Sequence, residues 1–152
     1  MITHLQHFEL SEFREWAGDM SPRLLVMLDV LRHILQSPIF ISKNDQALGR
    51  RSGLSESEHN VEFWNQVLAV DCFVKDVHTY AQALRVVESA RIVGFTGIGV
   101  YPQWTNNVGR RQVGFHFGVR PSRKMDNPAT WGYYDGKFVS LDYALSQVTK
   151  ED

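Results

Sequence analysis

Among the six histidines of this chain, two stand in surroundings that suggest chemistry. His59 lies in the polar stretch Ser55-Glu56-Ser57-Glu58-His59-Asn60, and His116 lies in an apolar run between Phe115 and Phe117. Asp71 falls between them in the chain, within Leu68-Ala69-Val70-Asp71-Cys72-Phe73-Val74. An ionised carboxylate in such a run is costly unless something pairs with it. Strand alternation puts it on one face with Ala69 and Phe73, a face otherwise apolar. A metal ion is one partner for it; Arg50 or Arg51 is another. Two imidazoles and one carboxylate suit a zinc site that keeps its fourth position open for water. That donor set leaves the ion positive enough to polarise a carbonyl, and it also suits other divalent ions. The remaining histidines read as surface or flanking residues: His4 and His7 near the start of the chain, His33 beside the apolar stripe of a helix, and His78 just ahead of another.

Taken in order, Ser57-x-His59, Ala69-x-Asp71 and the late His116 resemble the M15-type (D-Ala-D-Ala carboxypeptidase-like) zinc peptidases. His116 is preceded by Gly97-Ile98-Gly99-Val100-Tyr101-Pro102 and followed by Trp131-Gly132, and the resemblance spans roughly residues 40 to 132. It implies a zinc ion held by His59, Asp71 and His116, and short peptides of the bacterial cell wall as substrate. It further implies a zinc peptidase that cleaves peptidoglycan stem peptides, of the phage endolysin or tail-associated kind. The alternative is a catalytically degenerate domain serving as a structural or attachment component of a phage particle, with other virion proteins as partners.

Two departures from the family pattern matter. His59 and Asp71 are twelve residues apart, where the family usually has seven. The late motif reads His116-Phe117-Gly118, where relatives commonly carry His-x-Asp, and Val113 stands where some members carry an acid. Residues two apart on a strand share a face, so an aspartate in place of Gly118 would lie beside the metal. A hydrolase gains about 10²–10⁴-fold from a positioned proton shuttle. Glu58 is one candidate for that role, with Glu56, Glu62, Asp76 and Asp126 as others. Arg120 shares the face of His116 and is a candidate to bind a substrate carboxylate through its planar fork. Asn60 is a candidate to orient a ligand, and Trp131 and Tyr133 are candidates to line a groove or to fill hairpin core.

These residues need elements to carry them. A short helix is expected over 11–17 with Ser11 as cap. A stronger one follows Ser21-Pro22, with Leu24, Met27, Leu28, Leu31, Ile34 and Leu35 on one face, and Pro38 ends it. Strands are expected at 39–42, 68–74, 97–101 (closed by Pro102) and 112–120. Residues 43–66 read as a long connection with one helical turn. A helix capped by Thr79 and ended by Gly94 carries Tyr80, Ala83, Leu84, Val87 and Ala90 or Arg91 inward. Asp135-Gly136 marks a hairpin, and a short helix follows Leu141. Helices and hairpins are segregated, so the fold class is α+β: a small antiparallel sheet with helices packed on it, as one domain over 1–152.

Bulk properties agree with a packed domain. The chain has 152 residues, 43% of them hydrophobic, and a formal net charge of -1, so it carries no electrostatic footprint for nucleic acid. Its lone cysteine, Cys72, can form no intrachain disulfide. No stretch is apolar enough to span a membrane, and the first residues lack a basic start followed by an apolar run. Action from the host cytoplasm or a virion on the periplasmic wall is the expectation.

Overall fold

The computed structural model describes residue 2 and residues 4–148. It is a mixed α and β structure built on one sheet of six strands, in the order β1-β2-β4-β3-β5-β6. The strands are β1 (Ile39–Ile41), β2 (Ala69–Val74), β3 (Gly97–Thr105), β4 (Arg111–Gly118), β5 (Ala129–Tyr134) and β6 (Lys137–Val139). The helices are a 3-10 helix at Leu10–Asp19, α1 (Pro22–Leu35), α2 (Val61–Trp64), α3 (Tyr80–Val93) and α4 (Leu141–Ser146).

The local signals explain most of these elements. Ser21 accepts from the Leu24 amide ahead of Pro22, and Thr79 and Gln82 form a reciprocal capping box at the start of α3. Gly94 ends α3 in the left-handed region, at φ 105°. Asp135 and Gly136, at φ 53° and 78°, make the tight turn between β5 and β6. The first helix differs in detail: it is a 3-10 helix capped by Glu9 with Glu12 rather than by Ser11. In α1, Leu25 is buried where the periodicity predicts Ile34, and Ile34 is exposed; in α3, Val86 is buried while Tyr80 is exposed.

The sheet is not purely antiparallel. β3 pairs antiparallel with β4 on one side but parallel with β5 on the other. The segment 119–128 between β4 and β5 carries the chain back across the edge of β3, so β5 runs alongside β3 instead of returning against β4. Pro102 does not close β3 either. The strand runs on to Thr105, and the register with β4 shifts between Tyr101 and Trp104, a bulge that accommodates a residue without an amide proton.

Alternation divides the sheet into two faces. Val70, Cys72, Val74, Ile98, Val100, Val113, Phe115 and Phe117 join the helices in the hydrophobic core. The intervening residues form the opposite face, and the strand register aligns them in rows. Asp71 pairs with His116, His116 with Gly99, and Gly99 with Trp131. The next row is Ala69, Gly118, Gly97 and Ala129, all small. The segment between β1 and β2 lies over this face.

Candidate metal centre

His59 arrives from that segment and is locked by main-chain contacts. Its carbonyl accepts from the Arg50 amide, and the Val61 amide donates to the Arg50 carbonyl. Asn60 caps α2 through Oδ1, and its Nδ2 donates to the Gly53 and Ser55 carbonyls, so its side chain is spent on shaping the loop. His59 Nδ1 lies 2.5 Å from the Leu48 carbonyl oxygen. A carbonyl oxygen only accepts, so Nδ1 carries a proton, and it is the neutral ring that presents a lone pair at Nε2.

That Nε2 is buried without a hydrogen-bond partner, and Asp71 Oδ1 lies 3.4 Å away. Two acceptors facing each other at this distance call for a cation or a proton between them. His116 Nδ1 is 3.1 Å from the same Asp71 oxygen. Donor atoms of His59, Asp71 and His116 all lie within 4.8 Å of one another, and the group could hold a metal ion. Asp71's ion-pair partners among the described residues are the two histidines, not Arg50 or Arg51.

The charges of these groups act strongly on one another. Burial pushes Asp71 up, but hydrogen bonds and charge from His116 and His59 outweigh it and hold the carboxyl far below its usual range. Burial likewise opposes charge on His116, yet the hydrogen bonds it donates to Asp71 and Glu58 and the charges of both hold its pKa at about 9. In the metal-free chain His116 is thus an imidazolium clamped between two carboxylates.

Glu58 is the second of these. Its side chain is wholly buried, with Oε1 at 3.3 Å from His116 Nε2, 3.0 Å from an Arg120 terminal nitrogen and 3.3 Å from Arg120 Nε. Burial raises its pKa, but the hydrogen bond and charge of His116, followed by Arg120, bring it below the usual value. Gly118 is explained by this arrangement: a Cβ there would meet Glu58 Oε2 at 1.9 Å. The space that an aspartate side chain would need at this position is filled by the Glu58 carboxylate. Arg120 does share the face of His116, and its guanidinium is engaged by Glu58.

Asp71 opens onto a cavity of about 460 Å³, also lined by Lys43, Asn44, Arg50, Phe73 and Trp104. Trp104 stacks on Tyr101, with ring centroids 3.8 Å apart, and lies over Gly114. Trp131 packs against the His116 ring at 4.6 Å, over Gly99, so it flanks the site, whereas Tyr133 faces Phe138 on the exposed hairpin. Comparison with protein-family models finds no match, and searches of curated proteins and of solved structures find none either.

Residue types pick out the three donors but not their setting. The Leu48 carbonyl, which sets the His59 tautomer, escapes them because a backbone acceptor leaves no trace in residue type. Trp104 in the cavity wall escapes too, since it lies beyond the strand end expected at Pro102. His4, His33 and His78 are exposed, and His7, bonded to His33 at 3.1 Å, lies apart from the site.

Proposed function

We propose that this chain is a zinc-dependent peptidase acting on peptidoglycan stem peptides, with His59, Asp71 and His116 as the metal ligands. The observation that carries the reading is the unpartnered His59 Nε2 facing Asp71 Oδ1 at 3.4 Å, with His116 Nδ1 on the same oxygen. Two neutral imidazoles and a carboxylate are the donor set zinc favours in open sites, and the residues fit it. A bound ion would supply Lewis acidity toward a peptide carbonyl and toward water. The order of the ligand motifs, which resembles that of M15-type peptidases, supports the substrate class and an M15-like fold. In this reading Arg50 and Lys43 supply positive charge in the cavity for a substrate carboxylate, Trp104 and Phe73 wall it, and Arg120 holds Glu58. A phage lysis or tail-associated protein, reaching the wall from the host cytoplasm or from a virion, is the setting that matches the substrate.

One observation favours a second reading. Asp71 is the sole carboxylate among the described residues lining the cavity, and Val113 is buried in the core, so the cavity lining supplies no second acid. A domain that keeps the metal but has lost turnover, serving as an attachment component of a phage particle, would look this way.

Release of new amino groups from purified peptidoglycan by the zinc-loaded protein separates the two, with His116→Ala as control. Release that vanishes in the variant is the expected result. No release from either protein, with zinc bound stoichiometrically, refutes turnover and leaves the attachment reading.

A further inference from the structure

The geometry points to Glu58 as a positioning residue that fixes the tautomer and orientation of His116 from behind, in a niche that the small residues of the sheet create for its carboxylate. The inference rests on the metal-site reading above. The floor of the niche is the row Ala69, Gly118, Gly97, Ala129, directly beside the row that carries Asp71 and His116. A Cβ on Gly118 would stand 1.9 Å from Glu58 Oε2, and one on Gly97 would stand 2.7 Å from it. Side chains at these positions would expel the carboxylate. The main chain fixes its approach, because the Glu58 carbonyl accepts from the Leu68 amide just ahead of β2.

Glu58 Oε1 faces His116 Nε2 at 3.3 Å, and Arg120 donates to the same oxygen through two nitrogens. With two Arg120 nitrogens donating to it, Glu58 Oε1 serves as an acceptor, so a neutral His116 keeps its proton on Nε2, the nitrogen that faces this oxygen. That leaves Nδ1, 3.1 Å from Asp71 Oδ1, as the nitrogen free to ligate. Its lone pair then faces the same oxygen as that of His59 Nε2. Leu48 performs the corresponding task for His59 with a main-chain carbonyl, so both imidazoles are pre-set by an acceptor on the far ring nitrogen. With 1% of its surface exposed, Glu58 lies behind the histidine and acts through it, not on substrate.

The test measures zinc affinity by competition with a chromophoric chelator, together with the His116 tautomer from long-range proton–nitrogen correlation spectra of the zinc-loaded protein. Glu58→Ala should weaken zinc binding about 10–100-fold and leave the His116 proton no longer confined to Nε2. Glu58→Gln, which retains an acceptor of the same shape, should lose less affinity and keep one tautomer. The double variant Glu58→Ala/Gly118→Asp returns a carboxylate to the same strand face and should recover much of the lost affinity. The glutamine and double variants keep the inference falsifiable should Glu58→Ala fail to fold. Affinity and tautomer unchanged in Glu58→Ala would overturn it, as would a folded double variant that binds zinc about 100-fold or more weakly than the parent. A parent chain that binds no zinc would instead overturn the metal-site reading itself.

Discussion

Gly118→Ala is a single added methyl group whose effect can be worked from the structure. The new Cβ would lie 1.9 Å from Glu58 Oε2, 2.8 Å from its Cδ and 3.1 Å from Ala69 Cβ. The backbone of Gly118 is ordinary strand, so the cost is one of space. Ala69 sits on the neighbouring strand and cannot retreat, so the carboxylate must move. Moving it stretches its contacts with the buried His116 and with Arg120, whose side chain is one third exposed. Overpacking a core costs about 1–3 kcal/mol. Breaking a buried ion pair by removing one partner costs about 3–5 kcal/mol, an upper limit here because Glu58 shifts but remains. A destabilisation of about 3 kcal/mol is the working value, which for a chain of this size lowers Tm by roughly 6–12 °C. The assay is urea and thermal unfolding of the metal-free protein, with Gly18→Ala, whose Cβ would meet nothing within 4 Å, as the control. The same substitution in a Glu58→Ala background enters emptied space and should cost far less, a coupling of about 1–3 kcal/mol. A Gly118→Ala variant within about 0.5 kcal/mol of the parent, or one equally costly in both backgrounds, would refute the packing argument.

Two further predictions follow from the charge state of the bare site. His116 holds its proton up to a pKa of about 9, so zinc binding at pH 7 should release about one proton from it. Calorimetry in buffers of different ionisation enthalpy reads this directly, and a buffer-independent heat would contradict it. Stability of the metal-free chain should also depend on pH in both directions. The His116 pKa is raised above 6.5, so its contribution is complete below that value and is lost as pH rises toward 9. Asp71 and Glu58 are lowered from 3.8 and 4.5, so their contributions are present above those values and are lost as pH falls below them. Urea midpoints should therefore be highest near pH 5–6.5 and fall on either side; a midpoint flat from pH 6 to 9 in the metal-free protein would contradict the clamped imidazolium.

What could be read from residues alone was local or periodic. Ser21-Pro22, Thr79, Gly94 and Asp135-Gly136 each satisfy or release backbone groups within a few positions, so they mark their elements without knowledge of the rest. Asp71 could be singled out because a charge in an apolar strand must be compensated somewhere, and His116 because it shares that setting. Strand register then decided what periodicity could not. The parallel pairing of β3 with β5 depends on where a long connection lands, and the continuation of β3 through Pro102 depends on a bulge opposite β4. Gly118 is the sharpest case. In the sequence it reads as a missing carboxylate, whereas in the fold it is the space occupied by one, delivered from residue 58. Residue type records what a side chain can do, but whether it is there to do it depends on contacts between segments sixty residues apart, and those exist only once the sheet has formed.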